Sequence, residues 1–340
     1  MNIYQRAKSK VPYAVDRVTA TVQSPAESIL ITGFWNSGTT WFQQVVAEMV
    51  EAKRIFEPFY FHIGVYADLV KERLDTVAFQ HPFSNVYYPF FGHTIERDPA
   101  VQAYVRSSLT GSIRGRVAQK YGGEWVRGLR DRRSEHFRKR VVAKYVRGQF
   151  IAPAVHRLFG TPILHIWRDP RAVFASLKRR NWRWFEDGSL RSLLSVGNDG
   201  RDEYAKPYMN YLKELDQDGT FAMKMAAYWA ITEKYLEDEM SEANGSVSVN
   251  YDRMVFETNK TLRPVAIMLG ASMSSEQRAT QKNSSTTQKG RYDISKVQRV
   301  FGWKGELEYD QVQAIESVVE KLNMSHKVDF VETKVLNKLK

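Results

Sequence analysis

The stretch SILITGFWNSGTTWFQQVVAEMV, residues 28–50, changes pattern twice, and its reading decides the fold. Ile29, Leu30 and Ile31 form an apolar run with little polar alternation, which predicts a strand buried on both faces of a parallel sheet. From Thr39 onward, Trp41, Val45, Ala47, Met49 and Val50 supply the apolar faces of a helix. Between the two, Gly33 and Gly38 enclose Phe34-Trp35-Asn36-Ser37. This is the glycine spacing of a P-loop, in which successive backbone N–H groups and a helix N-terminus wrap an anionic phosphate. A loop that works on nucleoside triphosphates follows its second glycine with Lys, and here that place is Thr39. The loop is shaped for phosphate without being equipped for ATP chemistry.

A second stretch, ILHIWRDPRAVFASLKRR at residues 163–180, repeats the change from apolar run to helix. A strand over 162–167 reaches Arg168-Asp169-Pro170, where Asp169 can cap and Pro170 can open a helix that runs to Arg180. Arg168 at that edge offers planar, bidentate donors suited to a terminal phosphate, with a structural Arg–Asp pair as the plainer alternative. Together the two stretches resemble the sulfotransferases that use 3′-phosphoadenosine 5′-phosphosulfate (PAPS), with motifs similar to the carbohydrate and tyrosylprotein types. The resemblance reaches from Ser28 to about Tyr309, with long unmatched segments between the motifs. It implies that Asn36, Ser37, Gly38, Thr39, Thr40 and Trp41 bind the 5′-phosphosulfate. It also implies that Arg168 and Ser176, eight residues apart, hold the 3′-phosphate.

The remaining site residues are implied in the same way. Lys53 to Phe56 leads to Glu57-Pro58, and a carboxylate at the carboxyl edge of a parallel sheet stands where such sheets bind ligands. Glu57 lies 21 residues after Asn36, about where the carbohydrate and tyrosylprotein types carry their catalytic base. Val141 to Val146 reads as a buried strand interrupted by Lys144, costly unless the ammonium emerges at a site. Cytosolic members of the family have a Lys at this distance before the Arg and a His base two residues later. Here the second place is Val146, which favours Glu57 as base and leaves Lys144 to stabilise charge on the transferred group. His62, His81 and His93 rank below Glu57 as rival bases. Tyr251 matches a turn lining the nucleotide pocket, and Lys289, Gly290 and Arg291 match a loop that closes over the 3′-phosphate, with a plain basic loop as the alternative. Asn36 departs from the Lys or Arg usual in the family.

Composition bounds the rest. The 340 residues, 43% hydrophobic and 13% aromatic, read as globular. No run approaches the roughly 20 apolar residues of a bilayer span, and residues 1–27 contain no apolar signal core. The absence of Cys excludes disulfides, thiolate catalysis and cysteine metal sites, so a cytoplasmic protein is expected. The net charge of +12 asks for anionic partners. The densest basic run, Arg127 to Arg140, is either a solvated helix face or a rim attracting an acidic acceptor, and it lacks the interleaved aromatics of a single-strand binder. Residues 181–219 read as a mobile cover or a helical insertion, 222–240 as a helix with Trp229 in its core face, and 271–287 as a loop.

These readings converge on one α/β domain, a P-loop-like parallel sheet with helices on both faces, preceded by an N-terminal extension (1–27), spanning 28–322 and followed by a basic tail (323–340). The function the resemblance implies is transfer of a sulfuryl group from PAPS to the hydroxyl of a sugar, phenol, polyketide or lipid acceptor. Adenosine 3′,5′-bisphosphate (PAP) would be the product, and neither metal, nucleic acid nor membrane span is expected. Two alternatives stay open: a P-loop kinase or other NTP-dependent enzyme, and a non-catalytic nucleotide-binding relic of the same fold.

Overall fold

The computed structural model describes residues 22–59, 69, 90–113, 119–121, 124–126, 138, 140–182, 190, 200–241, 245–272 and 295–330. Strand β1 (Ile29–Thr32) leads to helix α1 (Thr39–Met49) and then to β2 (Lys53–Phe56). Helices α2 (Gly92–Arg97) and α3 (Pro99–Thr110) follow, then a small antiparallel pair, β3 (Gln119–Tyr121) with β4 (Glu124–Val126). Next come β5 (Val141–Tyr145), α4 (Ala152–Phe159), β6 (Ile163–Trp167) and α5 (Pro170–Arg179). Helices α6 (Arg201–Ala205), α7 (Met209–Asp218) and the long α8 (Phe221–Met240) precede β7 (Ser246–Asn250). The chain continues through α9 (Tyr251–Phe256), α10 (Thr258–Met268), α11 (Lys296–Phe301), α12 (Tyr309–Lys321) and α13 (Ser325–Phe330).

Five strands form one open parallel sheet in the order β2-β5-β1-β6-β7. β1 is its centre, as the unbroken apolar run predicts, and all four of its residues are buried. Side chains alternate across it. Ile29 and Ile31 pack with Phe42, Val46 and Leu262 of α1 and α10, while Leu30 packs with Val105 and Val155 of α3 and α4 on the opposite face. Burial of each such side chain stabilises the fold by roughly 1.5–3 kcal/mol. Helices therefore cover both faces. The connections from β1 and β6 leave toward opposite edges of the sheet, so a crevice opens at the carboxyl ends of these two neighbours, where open α/β sheets take their ligands.

The predicted strands and helices at 28–50, 141–146, 162–180, 222–240 and 309–322 are present within a residue or two of their expected ends. Within 181–219, residues 201–218 form α6, a 3-10 turn (Lys206–Tyr208) and α7, so this described part is a helical insertion; Leu212 and Leu215 are buried in the core cluster. Tyr251, expected in a turn, opens α9, because Asn250 caps it by accepting the Arg253 N–H at 2.8 Å. Past Leu322 the chain still packs: Met324 and Val328 are buried in the core cluster, and Lys327 reaches Glu233 of α8 at 2.8 Å. Glu233 is wholly buried and also meets Nε2 of His165 on β6, whose Nδ1 lies 2.9 Å from the Ser248 hydroxyl of β7. Of the run Arg127 to Arg140, only its end is described: Arg138 and Arg140 donate to the backbone carbonyls of Ala52 and Leu269.

Candidate active site

The loop from Gly33 to Gly38 carries β1 into α1 at the carboxyl edge of the sheet. A Cβ on Gly33 would stand 2.2 Å from the carbonyl oxygen of Ile166, so only glycine lets this loop lie against β6. Gly38 has φ +87°, in the left-handed region, and a Cβ there would meet the Tyr251 ring at 2.3 Å. Asn36 has φ +61°, a conformation Asn adopts far more readily than Lys or Arg, which gives a local reason for its presence. Ser37 is fully buried, and its hydroxyl and the Asn36 Nδ2 have no hydrogen-bond partner among the described residues. Buried donors in native proteins are nearly always paired, so two unpaired ones on one loop point to an anion.

Arg168 enters from the end of β6, and Asp169 caps α5 by accepting the Arg171 N–H at 2.8 Å, as the sequence indicates. The guanidinium donates to the carbonyl of Asn36 at 3.1 Å and to that of Arg299 on α11 at 2.9 Å, and its centre lies 4.6 Å from the Tyr251 ring centroid. Arg168 thereby ties the β1–α1 loop to α11. Its Nε has no hydrogen-bond partner among the described residues, the nearest carboxylate, Asp252, being 3.9 Å away. A cavity of about 150 Å³ opens here, lined by Arg168, Ser176, Tyr251, Arg299 and Trp303 among others. The structure thus brings Arg168, Ser176 and Tyr251 to one cavity. Asp252 lies wholly buried behind Arg168. Burial raises its carboxyl, Arg168 draws it back and the Asp169 charge pushes it up again, to about 7.

On the other side of β1, β5 places Lys144 beside β1 and β2. Its Nζ donates to the Thr40 hydroxyl at 2.9 Å and to Glu57 Oε1 at 3.0 Å, and lies 3.6 Å from the Phe56 ring centroid. Glu57 directly follows β2 with φ +40°, a left-handed backbone for which a residue with a Cβ is strained by about 1–3 kcal/mol. Arg147, two residues past β5, pairs with the other oxygen, Glu57 Oε2. Burial alone would raise the Glu57 carboxyl; Lys144 and Arg147 outweigh it and hold the group down to about 2. Burial also pulls the Lys144 ammonium below its usual range, and Glu57 pushes it partly back. The cluster is an ionised carboxylate between two cations, joined through Thr40 to the loop.

Thus Asn36, Ser37, Gly38, Thr39, Thr40, Trp41, Glu57, Lys144, Arg168, Ser176 and Tyr251 all gather at or next to one edge of the sheet. Lys289, Gly290 and Arg291, together with His62 and His81 and the side chain of His93, lie outside the described residues. Sequence reasoning missed Arg147, Asp252 and Arg299. A signal existed for the first: a cation directly after a buried strand, ahead of Gly148, stands at the sheet's carboxyl edge.

No protein-family model matches the chain, and no curated protein sequence does. Solved structures do match in chain course. Mouse sulfotransferase SULT7A1 complexed with PAP is similar at 11% identity, over 91% of this chain and 88% of that one, with a TM-score of 0.43. The sulfotransferase domain from the curacin biosynthetic pathway is similar at 10% identity, over 87% and 97%, with a TM-score of 0.42. Retinol dehydratase in a complex with retinol and PAP is similar at 13% identity, over 92% and 86%, with a TM-score of 0.37.

Proposed function

We propose that this protein transfers a sulfuryl group from PAPS to the hydroxyl of an acceptor. The observation that supports this reading above all is Lys144, whose single ammonium bridges the Thr40 hydroxyl of the β1–α1 loop and the carboxylate of Glu57. An anion-cradling loop, a cation and an ionised carboxylate in contact are what in-line group transfer to a hydroxyl needs. The unpaired donors Ser37 Oγ, Asn36 Nδ2 and Arg168 Nε fit a ligand with phosphate at both ends: the loop would take the 5′ end, and Arg168 with Ser176 the 3′ end. Tyr251, packed edge-on against Trp41 at 5.9 Å and under Arg168, links the two groups of donors.

PAPS supplies an activated sulfuryl group whose bond to the 5′-phosphate breaks as the acceptor oxygen bonds to sulfur. This chain's residues would then act as follows. Glu57 accepts the acceptor's hydroxyl proton. Lys144 and the backbone N–H groups of Ser37 to Thr40 carry the charge that moves toward the departing phosphate. Asn36 brings an amide without charge, so the cation must come from elsewhere, and Lys144, in contact with Thr40 of the same loop region, would supply it.

The test is ligand binding followed by transfer. PAP should raise the melting temperature well above what ATP or 5′-AMP does at equal concentration without magnesium, and Arg168→Ala should abolish that preference. Labelled sulfate should then pass from PAPS to members of an alcohol, phenol and sugar panel. Equal stabilisation by Mg-ATP would move the case to a kinase, and PAP binding without any transfer would make the protein a nucleotide-binding relic.

A further inference from the structure

A second cavity, of about 210 Å³, shares no lining residue with the one beside Arg168. Phe91, just before α2, Tyr204 of α6 and Tyr235 of α8 line it. Their ring centroids stand 5.0 Å (Phe91–Tyr235), 5.1 Å (Tyr204–Tyr235) and 6.1 Å (Phe91–Tyr204) apart, so the three make one aromatic wall. Both phenol hydroxyls are directed at backbone: Tyr235 donates to the Phe150 carbonyl at 3.0 Å and Tyr204 to that of Ile231 at 3.5 Å. The wall therefore offers ring surface rather than hydrogen bonds. Glu203 and Glu239 line the same cavity, and so does Arg157. The guanidinium is shared: Nε and Nη2 donate to Glu96 at 3.2 and 2.9 Å, and Nη1 to Glu239 at 2.9 Å. Glu203 forms no hydrogen bond or ion pair among the described residues. Two lining carboxylates thus face one lining guanidinium, part of which Glu96 takes. Burial raises the Tyr204 phenol first of all, and Tyr208, Asp238, Tyr235 and Glu239 push it further the same way. The two carboxylates among them show that the field at the cavity wall is negative.

We infer that this cavity binds a methylated ammonium group, the trimethylammonium of a choline compound. Aromatic faces attract a cation through the ring quadrupole, and quaternary ammonium ions are the ligands that such walls take. A trimethylammonium has no N–H to satisfy, which suits a wall whose hydroxyls are engaged. An unmethylated ammonium would leave donors unpaired against ring carbon. Glu203 and Glu239 then supply the attraction at longer range. The chain as a whole, at net charge +12, repels cations, so binding of one depends on this local reversal of sign. The inference stands apart from the sulfuryl-transfer reading, since the cavity contains none of the residues assigned to that reaction.

The experiment is calorimetric titration of the full chain with choline and with 3,3-dimethylbutan-1-ol, which has the same shape without the charge. Choline should bind about tenfold more tightly or better. Glu203→Gln removes a charge, and Tyr204→Leu removes a ring while keeping apolar bulk. Each should narrow the preference for choline by about threefold or more. Glu203 is exposed and Tyr204 half-buried, and melting curves confirm that each variant is folded. Should one fail to fold, the other still gives the reading. Phosphatidylcholine vesicles, compared with phosphatidylethanolamine vesicles by co-sedimentation, separate the two sources of the group. Retention on the former that Glu203→Gln lowers assigns a lipid headgroup, and binding of free choline alone assigns a soluble compound. Equal affinity for choline and the alcohol would overturn the inference and leave an apolar hollow. So would the absence of choline binding at tens of millimolar, or a preference that is the same in the native protein and both variants.

Discussion

Replacing Asp252 by Asn tests the electrostatics behind Arg168. The Asp252 carboxyl is wholly buried, accepts the Asp169 N–H at 3.5 Å through Oδ2, and lies 3.9 Å from Arg168 Nε through Oδ1. Burial and the neighbouring Asp169 carry it from 3.8 to about 7, against the pull of Arg168. Because the folded value lies above the unfolded one, the folded state binds more protons between about pH 4 and 7, so stability falls as pH rises through that window and levels off above it. A shift of about three units corresponds to about 4 kcal/mol at full ionisation. Asn keeps the shape and cannot ionise, so the variant should be the more stable protein at pH 8. It also loses the attraction to Arg168, which reduces the gain. At roughly 2.1 cal/mol/K per residue, unfolding 340 residues has an entropy of about 0.7 kcal/mol/K, so the melting temperature should rise by no more than about 6 °C at pH 8 and by almost nothing at pH 4.5. Melting curves of both proteins from pH 4.5 to 8.5 decide it. A gap that does not change with pH would refute the reasoning, since it would mean that Asp252 does not titrate in this window.

Glu57→Gln keeps size and hydrogen-bonding capacity but cannot take a proton, so turnover should fall by roughly 10²- to 10⁴-fold with PAP binding nearly unchanged; surviving turnover would remove Glu57 as the base. The same carboxyl, held at about 2, contributes stability that is present above its unfolded value of about 4.5 and is lost as pH falls toward 2. Acid melting of Glu57→Gln should accordingly be shallower than that of the native protein. Lys144→Ala should cost more turnover than Asn36→Ala, with Asn36→Lys tolerated; a fully active Lys144→Ala would sink the idea that Lys144 makes up for the missing loop cation. Gly38→Ala meets both a left-handed backbone and the Tyr251 ring, so urea unfolding should show a loss of a few kcal/mol and PAP stabilisation should weaken with it; a neutral result would show that Tyr251 moves aside easily.

The parts of the fold legible in the sequence are those whose physics is local. Strands β1, β5 and β6 are covered on both faces and therefore read as apolar runs, and Lys144 is conspicuous because it interrupts one of them. Asp169-Pro170 announces the start of α5 by its capping chemistry. What the sequence hides is partnership across distance. Arg147 and Glu57 are 90 residues apart and meet only because β2 and β5 are neighbours in the sheet, an order that no local pattern encodes. Asp252 looks like an ordinary polar residue after a strand until Arg168 and Asp169 are seen to close over it. The segment after Leu322 reads as a basic tail because Lys327 is counted as a surface charge, whereas it is buried against Glu233.

That last pairing bears on synthesis. Glu233 leaves the ribosome 94 residues ahead of Lys327. At roughly 5–20 residues per second, this means about 5–20 s during which α8 carries a carboxylate whose buried position offers, of its two charged or titratable partners among the described residues, His165 alone. Settling α8 against β6 in that interval would bury the carboxylate before its lysine partner exists. The pairing therefore favours final packing of α8 after α13 has been made.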